Sequence, residues 1–278
     1  DGKIYDGNVT VSGVKLSDNR IDGDVFKTSF TTASFDSKNA DPMQGVTVGG
    51  ISIGSPLAKI VIADDGGNYK LLSTTATTTA KIDQRSLTVT AQAYDKEYDG
   101  TRDAKVLLSD DRIVSDTFNV NYTNSLFDSK NAGERIVTIS GLTLENGTGD
   151  TDAANYKLAS NSVDADADIT KRDLAISVID FSINKTYDGT TLAGIGYSWQ
   201  VLNNDVVFVA ADGNYLDKNV GEDKPIIVNN IRFDTNVTPS TDYLNYNLIT
   251  ETQKTSGSIT PRNLFVSAIA TDKVFDGN

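Results

Sequence analysis

Hydrophobic and polar residues alternate in short runs along this chain, and glycine-containing polar stretches separate the runs. Alternation of this kind places the apolar side chains on one face of an extended strand. Runs rich in β-branched residues with this pattern occupy residues 87–91, 118–122, 136–140 and 174–178. We find no stretch with the 3.6-residue period of a long amphipathic helix. The pattern therefore predicts a mainly β protein.

A Tyr-Asp-Gly motif, preceded each time by a lysine two residues earlier, recurs along the chain at intervals of about 90 residues. This period suits a small globular domain and is too long for one coil of a solenoid. A fourth copy has Phe275 in place of the tyrosine. The three complete motifs are Tyr5, Asp6 and Gly7; Tyr98, Asp99 and Gly100; and Tyr187, Asp188 and Gly189.

Three further motifs recur in the same order between the Tyr-Asp-Gly copies. A Lys-Asn motif has its asparagine at Asn39, Asn131 and Asn219. An Asn-Tyr-x-Leu motif begins at Asn68, Asn155 and Asn245. An Arg-x-Leu motif, which joins one unit to the next, begins at Arg85, Arg172 and Arg262. These landmarks predict three tandem repeats, residues 1–84, 85–171 and 172–261, with residues 262–278 opening a fourth.

The predicted repeats follow one another without a flexible spacer, because the last strand of one runs almost directly into the first strand of the next. We expect three small β-rich domains, of sandwich or β-grasp type and about six strands each, with separate cores, in an elongated semi-rigid rod. Repeat lengths differ between the Lys-Asn and Asn-Tyr motifs, so the loops there are predicted to be the variable surface of each repeat.

Composition removes most enzyme chemistry, since the chain contains neither cysteine nor histidine. Thiolate nucleophiles, histidine bases and zinc sites are thereby excluded from this segment. The formal net charge of −13 argues against a nucleic-acid partner, which needs a basic surface. No apolar run approaches the roughly 20 residues that span a bilayer. We expect no catalytic residues, no cofactor and no membrane insertion in this segment.

Two patterns have alternative interpretations. The motif tyrosines could form a platform for stacking sugars, but a strand-end turn, with the ring on the core and the aspartate accepting backbone N–H groups, is the favoured interpretation. Asp164, Asp166 and Asp168 resemble the start of a calcium loop, yet Ile169 stands where glycine is needed. We predict that they form the exposed face of a strand and expect no metal site common to the repeats, while the loop at 145–152 stays open as a local calcium site.

The order Lys-x-Tyr-Asp-Gly, Lys-Asn-x-Gly, Asn-Tyr-x-Leu and Ile-Thr-x-Arg-x-Leu resembles the YDG repeat domain of large bacterial surface and secreted adhesins, including filamentous-haemagglutinin-like proteins, and is similar to the related MBG repeats. The resemblance implies an internal stalk segment of an exported protein in cell adhesion or biofilm formation, at the cell surface or outside the cell. It implies a non-catalytic spacer that projects an adhesive region. The alternative is a binding module whose variable loops contact a glycan or a host or matrix protein.

The ends of the chain are out of phase with the repeat. The first repeat lacks the strand that follows the Arg-x-Leu motif in the other repeats, whereas residues 264–268 are predicted to form such a strand with no repeat following. An open sheet edge can accept a strand from another molecule. Besides contacts between neighbouring repeats, we therefore expect weak end-to-end association of this segment.

Overall fold

The structure is a computed structural model that describes residues 2–55, 64–179, 183–202, 204–237, 240–249 and 251–277. The described residues form β-strands, connecting turns and three short 3-10 helices, which confirms the predicted mainly β class. Among these residues no helix is long and apolar enough to cross a membrane.

Strands occur in all three predicted repeats, and they exceed the predicted six in the second and third because pairs of two- or three-residue strands are too short to show alternation. The first repeat contains β1 (Lys3–Ile4), β2 (Lys27–Ser29), β3 (Thr32–Phe35), β4 (Asp41–Gly49), β5 (Ser52–Gly54), the 3-10 helix Gly66–Asn68 and β6 (Thr75–Asp83). The second contains β7 (Arg85–Leu87), β8 (Val89–Ala93), β9 (Lys96–Glu97), β10 (Val106–Asp110), β11 (Asn119–Asn121), β12 (Asn124–Phe127), β13 (Gly133–Ser140), β14 (Thr143–Glu145), the 3-10 helix Asp152–Asn155, β15 (Tyr156–Leu158) and β16 (Ser162–Thr170). The third contains β17 (Arg172–Leu174), β18 (Ile176–Ile179), β19 (Lys185–Thr186), β20 (Leu192–Ala193), β21 (Gly196–Trp199), β22 (Val209–Tyr215), β23 (Gly221–Phe233), the 3-10 helix Asp242–Asn245, β24 (Tyr246–Leu248) and β25 (Gln253–Thr260).

One sheet order recurs in every repeat. It is β1-β6-β4-β3 in the first repeat, β9-β16-β13-β12 in the second and β19-β25-β23-β22 in the third, where β20 extends the edge. The short strand before each Tyr-Asp-Gly motif pairs parallel with the last strand of its repeat, so that Lys3 lies opposite Ile82, Lys96 opposite Ile169 and Lys185 opposite Ile259. The sequence repeats therefore share one fold.

The acidic run in β16 lies on the exposed side of that strand. Asp164, Asp166 and Asp168 are exposed, while Ala167 and Ile169 between and after them are buried. Successive side chains of a strand point to opposite faces. The run is therefore the solvent face of a strand, as predicted, and the buried face carries the core.

The Arg-x-Leu motif forms a strand that pairs within its own repeat. Strand β7 lies parallel to β15, with Leu87 opposite Leu158, and β17 lies parallel to β24, with Leu174 opposite Leu248. Leu87 and Leu174 are 0% and 1% exposed. One residue separates β6 from β7, and one separates β16 from β17, so the connections between repeats are short.

The chain divides into two compact units, residues 1–94, 103–128 and 136–167 in unit 1 and residues 95–102, 129–135 and 168–278 in unit 2. The core of unit 1 combines Tyr5 and Val46 of the first repeat with Leu87, Phe118 and Tyr156 of the second. The expectation of separate cores does not hold for these two repeats, because residues from both fill one hydrophobic cluster.

Candidate functional site

Each Tyr-Asp-Gly motif forms a turn directly after a two-residue strand. The aspartate accepts a hydrogen bond from the backbone N–H two residues later, at 3.1 Å for Asn8, 2.8 Å for Thr101 and 2.9 Å for Thr190. The lysine of each motif donates to the same carboxylate at 2.7 to 2.9 Å. The motif aspartates therefore close the turn, which is what the turn interpretation predicts.

The third aspartate shows the electrostatic result of this arrangement. The backbone N–H of Thr190, the ammonium of Lys185 and the hydroxyl of Thr190 lower the pKa of Asp188 to about 2. Hydrogen bonds to the charged form of a carboxyl favour that form. The turn therefore holds an ionised aspartate over the whole neutral and mildly acidic range.

The glycine of the motif has a backbone conformation that other residues adopt at a cost, with φ of 80° at Gly100. We expect Gly100→Ala to lower the free energy of unfolding by about 1 to 2 kcal/mol, since a side chain is disfavoured in left-handed backbone. Gly54→Ala is the matched control, because its Cβ would meet nothing within 4 Å and its φ lies outside that region. Urea unfolding of both variants checks the prediction, and equal losses would contradict it.

The motif tyrosines of the first two repeats point into the protein. Tyr5 and Tyr98 are 1% and 0% exposed. Their rings stand edge-on to Tyr156 and Tyr246, at centroid distances of 5.5 and 5.7 Å. Neither ring has a free face on which a sugar could stack, so the platform interpretation is wrong for these two positions.

In unit 1, the Tyr5 hydroxyl reaches a carboxylate of the next repeat. It donates to Asp116 at 2.9 Å, and the Tyr156 hydroxyl donates to the same Oδ2 at 2.7 Å. Asp116 is 3% exposed. A buried carboxylate that accepts hydrogen bonds from two hydroxyls is well satisfied, whereas one that loses its donors carries a large desolvation cost.

Lys38, next to the asparagine of the Lys-Asn motif, completes the charge balance around Asp116. Its Nζ lies 3.1 Å from Asp116 and 3.1 Å from Asp152. Burial alone would raise the pKa of Asp116, but hydrogen bonds from Tyr156, Tyr5 and Lys38 outweigh burial and lower it. Asp116 is therefore held as the carboxylate at neutral pH.

The two asparagine motifs meet in the same unit. The Asn155 side chain accepts a hydrogen bond from the backbone N–H of Ala40 at 2.8 Å and donates to the Asn39 side chain at 3.2 Å. Asn155 is 1% exposed. Its amide thus joins the Lys-Asn turn of the first repeat to the 3-10 helix of the second, using both its acceptor and its donor.

The same arrangement recurs in unit 2, between the second and third repeats. The hydroxyls of Tyr98 and Tyr246 donate to Asp205 at 3.1 and 2.7 Å. The Asn245 amide accepts from the Ala132 backbone N–H at 2.9 Å and donates to Asn131 at 3.2 Å. The Lys130 Nζ lies 3.6 Å from Asp205. We call each set a junction network, and the two consist of Tyr5, Lys38, Asn39, Asp116, Asp152, Asn155 and Tyr156 in unit 1 and Tyr98, Lys130, Asn131, Asp205, Asn245 and Tyr246 in unit 2.

The remaining motif residues lie outside these networks. Tyr187 is half-buried, and Asn219 and Asn68 are exposed. Asn219 belongs to the Lys-Asn motif of the third repeat, and Asn68 belongs to the Asn-Tyr motif of the first. The structure therefore brings together motif residues of consecutive repeats. Asn68, Tyr187 and Asn219 belong to neither network.

Sequence reasoning missed the carboxylates that organise the networks. Asp116 and Asp205 lie 18 residues after the motif tyrosines Tyr98 and Tyr187, and Asp24 lies 19 residues after Tyr5. This nearly constant spacing is a usable signal. It is weak on its own, because aspartate is common in this chain.

The buried tyrosines predict an alkaline transition. Burial, together with the nearby charge of Asp116, raises the pKa of Tyr156 to about 12, although the Ile113 N–H acts in the opposite direction. A phenol whose pKa rises on folding adds stability below its unfolded value of about 10 and loses that stability as the pH passes its folded value. We expect stability to fall between about pH 10 and 12, and Tyr156→Phe to flatten the decline. Denaturant unfolding at each pH, with phenolate absorbance, checks this.

Metal binding finds no support in the described residues. The same holds for an isopeptide bond between a lysine and an asparagine, which the recurrence of both residues in every repeat could suggest. No group of three or more acidic side chains that could hold a metal occurs among the residues that the structure describes, and this includes the loop at 145–152. Lys38 points its Nζ at carboxylates. Lys3 does donate to Asn8, but threonine stands at that position in the other two turns.

Comparison with known sequences agrees with the internal repetition. No curated protein matches the chain. The sequence model of the YDG domain matches it three times, over residues 1–80, 83–163 and 170–255. Each match contains one Tyr-Asp-Gly motif and one Asn-Tyr motif, and together the matches take in most of the chain. The chain therefore belongs to the YDG domain family and carries three copies of the domain in tandem.

Proposed function

We propose that this segment is a non-catalytic stalk in which the repeated motifs serve to join one YDG domain to the next. The observation that carries the proposal is the position of the motif residues. Tyr5, Asn39 and Asn155 come from different parts of the repeat unit, yet they converge on a single network between consecutive repeats. Motif residues that recur in every repeat and that bind neighbouring repeats to each other support a structural spacer rather than a catalytic role.

The proposed domains are residues 1–84, 85–171 and 172–261, with residues 262–278 opening a fourth. The one-residue connections between β6 and β7 and between β16 and β17 support limited bending. Each junction also buries an asparagine, a tyrosine pair and the side chain of an aspartate, Asp116 in unit 1 and Asp205 in unit 2. A connection that is both short and packed restricts the angle between neighbours more than a flexible linker does.

Our proposal of export and a role in adhesion rests on the likeness of the motifs to repeats of bacterial surface proteins. We place the segment outside the cell or on its surface, as a spacer that holds an adhesive region away from the membrane. The negative charge of the chain favours solubility and repulsion between neighbouring stalks. Nucleic acid is not among the proposed partners.

A distance measurement across the first junction tests the stalk proposal. The chain has no cysteine, so spin labels can be placed at Met43→Cys and Leu107→Cys, both at exposed positions in unit 1. Pulsed electron spin resonance should give one narrow distance distribution. Adding Asp116→Ala should broaden it, whereas Asp24→Ala, the same change at a carboxylate outside the two networks, should leave it narrow. A broad distribution in the unchanged chain would contradict a stiff junction.

The same chain should be applied to arrays of glycans and matrix proteins. A spacer should bind none of them saturably. Saturable binding that is lost when the loop between the Lys-Asn and Asn-Tyr motifs of one repeat is replaced, with the distance distribution unchanged, would favour a binding module instead. Part of that loop in the first repeat, residues 56–63, lies outside the described residues.

A further inference from the structure

An open groove runs along the first repeat. It has a volume of about 300 Å³, and its lining includes Leu16, Phe26, Ile51, Tyr69 and Leu71. Phe26 is the most buried of these residues, and Tyr69 is half-buried. The groove lies wholly within unit 1.

The corresponding place in the second repeat is filled by strands β7 and β8. Strand β15 pairs with β7, and β10 pairs with β8. The segments that match β15 and β10 in the first repeat are residues 69–71 and 14–18, and neither forms a strand. The groove therefore corresponds to the place that an Arg-x-Leu-x-Val strand occupies in the second repeat.

The groove is already shaped to receive that strand. Arg20 bonds Asp18 and the backbone carbonyl of Phe26, each at 2.7 Å. Arg112 makes the same contacts with Asp110 and Phe118 in the second repeat. Because Arg20 and its partners already have the arrangement seen in the second repeat, this side of the groove needs little reorganisation to bind the strand.

Residues 262–270 repeat the Arg-x-Leu-x-Val pattern that β7 and β8 carry in the second repeat. Arg262 and Leu264 correspond to Arg85 and Leu87, and Val266 corresponds to Val89. Leu264 and Val266 are both 86% exposed, whereas Leu87 is 0% exposed. Residues 264–268 do not form the predicted strand, because no described strand pairs with them, and their apolar side chains have no core around them.

Polar residues of the third and first repeats also match the two sides of a junction network. Lys218 and Asn219 of the third repeat match Lys38 and Asn39, which bind Asp116 and Asn155 in unit 1. The first repeat offers the matching Asp24 and Asn68. The Tyr69 hydroxyl already bonds Asp24 and accepts from the Ile21 N–H, as Tyr156 does with Asp116 and Ile113.

We propose that the groove in the first repeat is a binding site for an Arg-x-Leu-x-Val strand of another YDG repeat, and that residues 262–270 of a second copy of this chain bind there. The internal pairings set the register: Arg262 lies opposite Tyr69 and Leu264 opposite Leu71, as Arg85 and Leu87 lie opposite Tyr156 and Leu158. Ser267 lies opposite Ser17, as Thr90 lies opposite Ser109. The inference concerns this chain alone and does not depend on export or adhesion.

Two neighbouring substitutions distinguish binding of the strand in the groove from nonspecific hydrophobic association. Leu264 matches the buried Leu87, whereas Phe265 matches Thr88, which is exposed. In sedimentation across a range of concentrations, Leu264→Ser should weaken association at least tenfold and Phe265→Ser should leave it nearly unchanged. If Phe265→Ser, which removes the larger apolar group, weakens it as much, or if the unchanged chain stays monomeric at millimolar concentration, the proposal is wrong.

A mixed crosslinking experiment tests the register and the two-copy arrangement. One batch of chain carries Ser17→Cys and the other Ser267→Cys, and the absence of native cysteine leaves one thiol per molecule. Mild oxidation of the mixture should give the heterodimer as the main disulfide product. Replacing Ser17→Cys with Lys15→Cys shifts the thiol by two residues, about 7 Å along the strand, and should largely abolish it. Equal yields from both mixtures would overturn the register.

Discussion

Replacing Leu87 by alanine is expected to lower the free energy of unfolding by about 3 kcal/mol, within the range for large-to-small changes at fully buried leucines. Leu87 is 0% exposed and belongs to the cluster that holds Tyr5 of the first repeat and Tyr156 of the second. The substitution leaves a cavity where the two repeats share a core. Denaturant unfolding, followed by tyrosine fluorescence, measures the loss.

The matched control is Leu264→Ala, which makes the same chemical change at the same position of the repeat unit. Leu264 is 86% exposed, so its loss should stay within about 0.5 kcal/mol when the protein is dilute. Equal losses for the two leucines would show that the Arg-x-Leu strand does not derive its stability from the groove in which Leu87 lies.

Asp116→Ala is expected to cost about 3 kcal/mol as well, for a different reason. The substitution removes the acceptor of two tyrosine hydroxyls and a partner of Lys38, in a place that water does not reach. Donors left buried without an acceptor carry the full cost of their lost hydration. The same unfolding experiment gives the magnitude.

Asp24→Ala is the internal control for that substitution. Asp24 corresponds to Asp116 and bonds the Tyr69 hydroxyl, but in the described residues it belongs to neither junction network. Its loss should be about 1 kcal/mol or less, because the site stays open to solvent. If Asp24→Ala proved as damaging as Asp116→Ala, the stability of the network would arise within a repeat and not between repeats.

Much of the repeat could be predicted from local patterns. Period-two alternation marks β8, β13 and β16 because each strand has one buried face, and the Asp-Gly pairs mark turns because glycine tolerates positive φ. The exposed face of β16 followed from the same rule. These features depend on residues near one another in sequence, which a single chain displays directly.

The junction networks could not be predicted in the same way. Tyr5 and Asp116 are 111 residues apart, and nothing local to either position shows that they meet. The prediction of separate cores was wrong for the same reason. Leu87 lies at the start of the second repeat in the sequence, yet its side chain packs in one cluster with residues of the first repeat.

A double-mutant cycle on Tyr5 and Asp116 tests directly whether the motif residues bind consecutive repeats to each other. Tyr5→Phe removes the hydroxyl of the first repeat, Asp116→Ala removes the acceptor of the second, and unfolding is measured for both single variants and the double variant. We predict that the two losses in the free energy of unfolding fail to add by about 1 kcal/mol or more, because the contact can be lost only once. Losses that add to within about 0.3 kcal/mol would contradict it.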